Sequence, residues 1–313
     1  MNKLYYSTSD YLLVDKNRTY LNIYNRELAR ANQLGALEDL VDSGEWTYDK
    51  FFEIQTAVSV EIDGTPGHSK DDAFGLVMDS YNAFVPFVYG GGFRLSNKTD
   101  DDKLTLTGNT ASALDAVEQA IKITCDMEKA MYCNDYANDW SIANNTFYET
   151  RALISTTFLS VFDTSMSERC SFEYGFLPFP KMNEEQKIYY TVPDTSHSQL
   201  FAIPDKGDKD FAGYMLELFS EVSTNTTKEV FYETKCKLRQ SYDAECARML
   251  DLIFEHVVYD NVLVGDYGSL RGLLNSEMPS KKMSGIYSAM YKTRSKAAQG
   301  ELTKLFEEYE KRL

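Results

Sequence analysis

Short apolar runs alternate with stretches of helical period along this 313-residue chain, and that alternation constrains the fold more than any motif does. The runs are "KLYY" (3–6), "YLNIY" (20–24), "FGLVM" (74–78), "ALIST" (152–156), "YGFLPF" (174–179) and "LFAIP" (200–204). Each has the length and the aromatic or β-branched content of a buried strand. Between them, Leu114, Val117, Ile121 and Cys125 share one helical face, and Phe211, Met215, Leu218 and Val222 share another. Met249, Leu250, Ile253, Phe254 and Val257 form a further stripe, and Leu302, Leu305, Phe306 and Tyr309 the last. An α/β chain is predicted. Its length suits one large domain or two ordinary ones, and no Pro/Gly-rich linker or internal repeat divides it.

The stretch "SGEWTYDKF" (43–51) shows how one helix begins. Thr47 suits the N-cap, because its hydroxyl can accept a backbone N–H two or three residues on. Trp46 then stands just before the cap and Phe51 at the fourth helical position, the two partners of a hydrophobic staple. Asp49 adds a carboxylate to the first turn, where the helix dipole favours it. A helix to about Val58 is predicted, with Trp46 in a structural role.

Charge excludes some functions. The net charge is −16 and no basic cluster interrupts it, so the counterion-displacing footprint of a nucleic-acid binder is missing. The same acidity disfavours anionic membranes and polyanionic ligands. Cys125, Cys133, Cys170, Cys236 and Cys246 form no CxxC and no zinc-like spacing, so they read as buried thiols. No segment has the apolar length of a membrane span. "NKLYYSTSDY" after Met1 carries neither the basic nor the apolar region of a signal peptide, which leaves a cytoplasmic protein or a missing N-terminus.

Catalytic signatures are sparse. "YGGGFRLS" (89–96) lacks both the strand–GxGxxG–helix setting and a P-loop lysine, so it reads as a turn after a helix. "EIDGTPGHSKDDAFG" (61–75) does not keep the alternating oxygen ligands of a calcium loop and reads as a solvated loop. His68, His197 and His256 stand far apart and form no HExxH. No metal and no cofactor are expected. Several strand ends, in contrast, carry aromatic and polar residues together. Asp79 and Tyr81 follow the run at 74–78, Phe158 lies just past the run at 152–156, and Tyr267 opens a helix. Ligands of open α/β sheets bind beyond the carboxyl ends of strands. Flat rings beside carboxylates and hydroxyls suit a sugar, whose apolar faces stack and whose hydroxyls need directional partners.

The order of segments resembles family 1 extracellular solute-binding proteins, the carbohydrate-receiving components of ABC importers. "KLYYSTSDYLLVDKNRTYLNIYNREL", "LEDLVDSGEWTYDKF", "DDAFGLVMDSYNAFVPFVYGGGF", "YGFLPFPK", "SHSQLFAIPDKGDKDFAGYMLELFS" and "ECARMLDLIF" follow one another as in that family, over nearly the whole chain. The resemblance implies a periplasmic-binding-protein-like two-lobed fold (type II) that closes on ligand at a hinge. Residues 1–19 and 177–241 would form a first lobe, and 20–176 and 242–313 the second. Family members carry a lipoprotein signal and the first βαβ units before "KLYY", so the first lobe is expected to be incomplete in an N-terminally truncated chain. Carried over, the ligand-binding residues would be Asp79, Tyr81, Phe158 and Tyr267, with His197 and Asp10 also on the cleft side. The resemblance further implies a monomer outside the cell, partnered by a carbohydrate and by ABC permease subunits, and held at the membrane only through a lipid anchor missing from this chain. A carbohydrate-active hydrolase is the alternative, and it would need two carboxylates facing one pocket with split pKa values. A truncated, non-transport relic of the same family is another.

Overall fold

A computed structural model of the chain describes residues 8–9, 11–65, 68–101, 103–136, 139–161, 169–197, 199–204, 206–231 and 244–311. Among the described residues there are seven strands: β1 (Tyr20–Asn25), β2 (Phe74–Met78), β3 (Ser96–Lys98), β4 (Leu104–Leu106), β5 (Ala130–Tyr132), β6 (Ala152–Phe158) and β7 (Tyr174–Leu177). The principal helices are α1 (Tyr48–Val58), α2 (Phe84–Gly90), α3 (Ala111–Thr124), α4 (Ser141–Tyr148), α5 (Lys209–Thr224), α6 (Ala244–Glu255) and α7 (Tyr287–Glu310). The α/β expectation holds. Four of the apolar runs are strands in place, and "KLYY" lies outside the described residues.

The main sheet has the order β5-β2-β6-β1-β7. β2 runs parallel to β5 and β6, while β1 is antiparallel to both β6 and β7. Every residue of β1 and β2 is buried, which explains why these strands read as continuous apolar runs rather than alternating ones. The strand pairing has a consequence for function. The carboxyl ends of β2, β5, β6 and β7 all reach the edge at which β1 begins, with Tyr20 opposite Phe158 and Met78 opposite Thr156 and Tyr132.

α1 begins as its sequence dictates. The Lys50 backbone N–H donates to Thr47 Oγ1 at 3.4 Å, and the Trp46 and Phe51 rings sit 5.3 Å apart. Trp46 is fully buried, and its indole N–H donates to the Pro178 carbonyl at 2.9 Å. Close packing shows at Gly75, where a Cβ would meet the Gln55 backbone at 2.5 Å, so β2 and α1 approach as only a glycine permits. Cys125, Cys133, Cys170 and Cys246 are buried, as expected of thiols used as small hydrophobes, and Cys236 lies outside the described residues.

Two expectations change. "LFAIP" does not form a strand: only Phe201 makes a single bridge, and Leu200 is exposed. An apolar run becomes a strand only where a neighbouring strand takes its N–H and C=O groups. α5 forms with Asp208 as its N-cap, but its apolar stripe is not a core face. Ser223 is its one buried residue, while Phe211 and Tyr214 are 62% and 63% exposed. Tyr11 stacks on Phe219 of this helix at 5.5 Å. No helix among the described residues is long and apolar enough to cross a membrane.

Candidate ligand-binding site

The shared edge of the main sheet gathers a polar cluster floored by aromatics. Tyr20, the first residue of β1, faces Phe158, the last of β6, edge to face at 5.3 Å. Phe158 therefore ends the strand rather than lying past it. The Arg18 guanidinium sits 4.7 Å from the centre of the Phe158 ring. Asp79 leaves β2 beside them, buried, and accepts hydrogen bonds from Ser80 Oγ at 3.0 Å and Thr157 Oγ1 at 3.2 Å.

A distant segment completes the cluster. Residues 191–194 run alongside the start of β1: Thr191 Oγ1 donates to the Tyr20 carbonyl at 2.8 Å, and the Asp194 N–H to the Arg18 carbonyl at 2.8 Å. This pairing brings Asp194 to the edge. Its carboxylate is buried and accepts from the Ser196 N–H at 3.0 Å and meets His197 Nδ1 at 2.5 Å. A recess of about 10 Å³ opens here, lined by Tyr20, Asn82, Val85, Asp194, Ser196 and Asn275 among others.

Electrostatics follow from the burial. Loss of water pushes the Asp79 carboxyl up to about 7, the Asp194 charge adds to the rise, and the Ser80 and Thr157 hydrogen bonds oppose it. The unfolded value lies near the ordinary ~3.9. Between those two values the native state keeps a proton that the unfolded chain releases, so Asp79 costs stability increasingly as pH rises towards 7, and by a constant amount above it. Asp79→Asn is therefore expected to stabilise the protein at pH 8 by roughly 2–4 kcal/mol and to give almost no gain near pH 4. Urea unfolding at the two pH values checks this, and an equal effect at both would contradict it.

The remaining expected site residues fall on neighbouring walls. The Tyr81 N–H donates to Asn134 Oδ1 at 2.7 Å and its hydroxyl to Asp135 Oδ1 at 2.8 Å, while Lys282 pairs with the other oxygen of Asp135 at 2.7 Å. Its ring stands edge-on to Tyr132 at 5.1 Å, so Tyr81 is tied to the end of β5. Tyr267 opens a single 3-10 turn, half-buried, that packs on α7. Its neighbour Asp266 pairs with Arg271, whose Nη1 donates to the carbonyl of Thr195, a residue lining the recess, at 3.5 Å. Asp10 lies outside the described residues. Asp79, Phe158 and His197 are thus brought together. Tyr20, Arg18 and Asp194 complete the group, and nothing in their local sequence marks them. Among the described residues, no three His, Cys, Asp or Glu side chains assemble as a metal-ligand set.

No protein-family model and no curated protein matches the sequence. Solved structures do match. The maltose/maltodextrin-binding domain MalE from Bdellovibrio bacteriovorus, bound to maltotriose, aligns with a TM-score of 0.57 at 14% identity, over 91% of this chain and 71% of its own. The ABC substrate-binding protein Lmo0181 from Listeria monocytogenes, in complex with cycloalternan, aligns with a TM-score of 0.52 at 15% identity, over 88% and 70%. UgpB from Mycobacterium tuberculosis, in complex with glycerophosphocholine, gives a TM-score of 0.54 at 15% identity, over 92% and 69%. The chain has the fold of these binding proteins.

Proposed function

We propose that the protein captures a carbohydrate, without chemical change, in a cleft at the shared strand edge, and delivers it to an ABC importer. The observation that carries this reading is the Phe158–Tyr20 aromatic floor set beside Asp79 and Asp194 at the carboxyl ends of the parallel strands. The partly exposed Phe158 ring, backed by the buried Tyr20, offers the stacking face, and carboxylates the directional acceptors that a sugar needs. The fold neighbours bound to maltotriose and cycloalternan support the same ligand class. In this reading residues 1–19 and 177–241 belong to the first lobe, and 20–176 and 242–313 to the second. The exposed apolar face of α5 is where the rest of a first lobe would pack. The protein works outside the cell as a lipid-anchored monomer, with a permease pair as its partner.

Titration calorimetry with maltotriose and a wider sugar panel tests the site. Phe158→Ala is expected to weaken the sugar bound by wild type about tenfold or more, or ~1.4 kcal/mol, with its circular dichroism unchanged. Equal affinity in the variant would contradict this placement. One observation favours a second reading. Asp79 and Asp194 are both buried and the Asp194 charge raises Asp79, a splitting of two carboxyl groups that a hydrolase would require, and cleavage of the bound sugar is the outcome that would select it.

A further inference from the structure

The Arg18 guanidinium stands 4.7 Å from the centre of the Phe158 ring, within cation–π reach. Its side chain is half-buried, and among the described residues it makes no ion pair. Other arginines differ: Arg26, Arg151, Arg248 and Arg271 each hold a carboxylate. A guanidinium is weakly hydrated, and its fork of N–H donors matches a carboxylate through two parallel hydrogen bonds. One left half-buried without an acid points to an acid that arrives with a ligand. The backbone fixes its place. The Asp194 N–H donates to the Arg18 carbonyl at 2.8 Å, and the Leu159 N–H to the Thr19 carbonyl at 3.3 Å, so Arg18 and Phe158 reach the edge on paired backbone. Two carboxyl groups share this edge, and neither is the ion-pair partner of Arg18. Burial pushes Asp79 up to about 7, so below that pH it is mostly uncharged, and Ser80 and Thr157 already donate to it. Asp194 accepts from the Ser196 N–H and meets His197 Nδ1.

We propose that Arg18, braced on Phe158, determines the specificity of the cleft: it receives one carboxylate of the ligand, so the preferred ligand is a sugar acid carrying a single such group. The proposal rests on the carbohydrate reading above. The sugar packs at the Phe158 surface and its carboxylate takes the guanidinium N–H groups. One acid suits the site better than several, because the chain carries a net charge of −16 and Asp194 stands at the same edge. A neutral sugar leaves the cation unmet, which is a loss relative to the acid and hence a source of discrimination.

The test is titration calorimetry at about pH 6, where Asp79 carries its proton, on wild type, Arg18→Gln and Phe158→Ala. The probes are maltotriose, the acid made by oxidising its terminal primary alcohol to a carboxylate, and the methyl ester of that acid. Wild type is expected to bind the acid at least about tenfold more tightly than the ester or maltotriose, a difference of ~1.4 kcal/mol. Arg18→Gln is expected to bring the acid down to the level of the ester, with its circular dichroism unchanged. A merely structural role for Arg18 would weaken acid and ester alike and keep their ratio. Acid and ester bound equally by wild type, and both weakened by Phe158→Ala, would overturn the acidic subsite and leave the carbohydrate reading standing. Binding of none of the three would overturn both.

Discussion

Asp260→Ala is expected to destabilise the protein by about 3–5 kcal/mol, because it removes a buried charge on which six donors converge. Asp260 Oδ2 accepts from Tyr89 Oη at 3.0 Å and from the Leu95 and Ser96 N–H groups at 2.8 and 3.1 Å. Oδ1 accepts from Ser96 Oγ at 2.8 Å and from the Val262 and Leu263 N–H groups at 2.9 and 3.4 Å, capping the short helix Asn261–Gly265. The side chain joins α2, the start of β3 and that helix. Alanine would strand backbone and side-chain donors in a dry site, where each unmet group costs about 1–3 kcal/mol. Urea unfolding measures the loss. Asp260→Asn keeps one acceptor oxygen but brings two donors into a cage of donors, so it should fall between wild type and alanine. A loss below ~1 kcal/mol for alanine would show that water or a shifted backbone replaces the carboxylate.

The second large effect is expected at Trp46. Trp46→Ala should cost about 3–5 kcal/mol, the range for emptying a large aromatic site in a packed core. The indole fills the space beside Phe51 and satisfies the Pro178 carbonyl. The backbone around it is pinned to the segment leaving β7: the Lys181 N–H donates to the Trp46 carbonyl at 3.0 Å, and the Tyr48 N–H to the Lys181 carbonyl at 2.9 Å. Trp46→Phe keeps most of the apolar contact and loses the hydrogen bond to Pro178, so it should cost ~1–2 kcal/mol. Denaturant melts of the two variants separate packing from hydrogen bonding. Equal losses would mean that the indole N–H, rather than the volume, holds this corner.

Much of this architecture is legible in the residues. β1, β2, β6 and β7 stand out as apolar runs because both faces of the sheet are covered. α1 announces its start through Thr47, Trp46 and Phe51. Strand direction is not legible: nothing in "YLNIY" says that β1 runs antiparallel between β6 and β7, yet that reversal brings Tyr20 to the edge where the carboxyl ends of β6 and β7 lie. Asp194 reaches the site through backbone pairing to Arg18, across a sequence separation that no local pattern spans. The stripe of α5 shows a different limit. Period identifies a helix and its apolar face, but what covers that face is a tertiary fact. Asp79 and Phe158 stand out as candidates in the sequence because they lie at the carboxyl ends of strands, where α/β sheets place ligands.

The most direct test of the account is a thermal-shift screen of the chain against mono- and oligosaccharides, with the sugar recovered afterwards and its mass measured. A ligand at about 100 times its Kd adds ~2.7 kcal/mol of stability. The expected result is a clear upward shift with one sugar class and full recovery of that sugar intact. Cooperative melting without a shift from any sugar, or recovery of the sugar in cleaved form, would contradict the claim that this chain captures a carbohydrate without changing it.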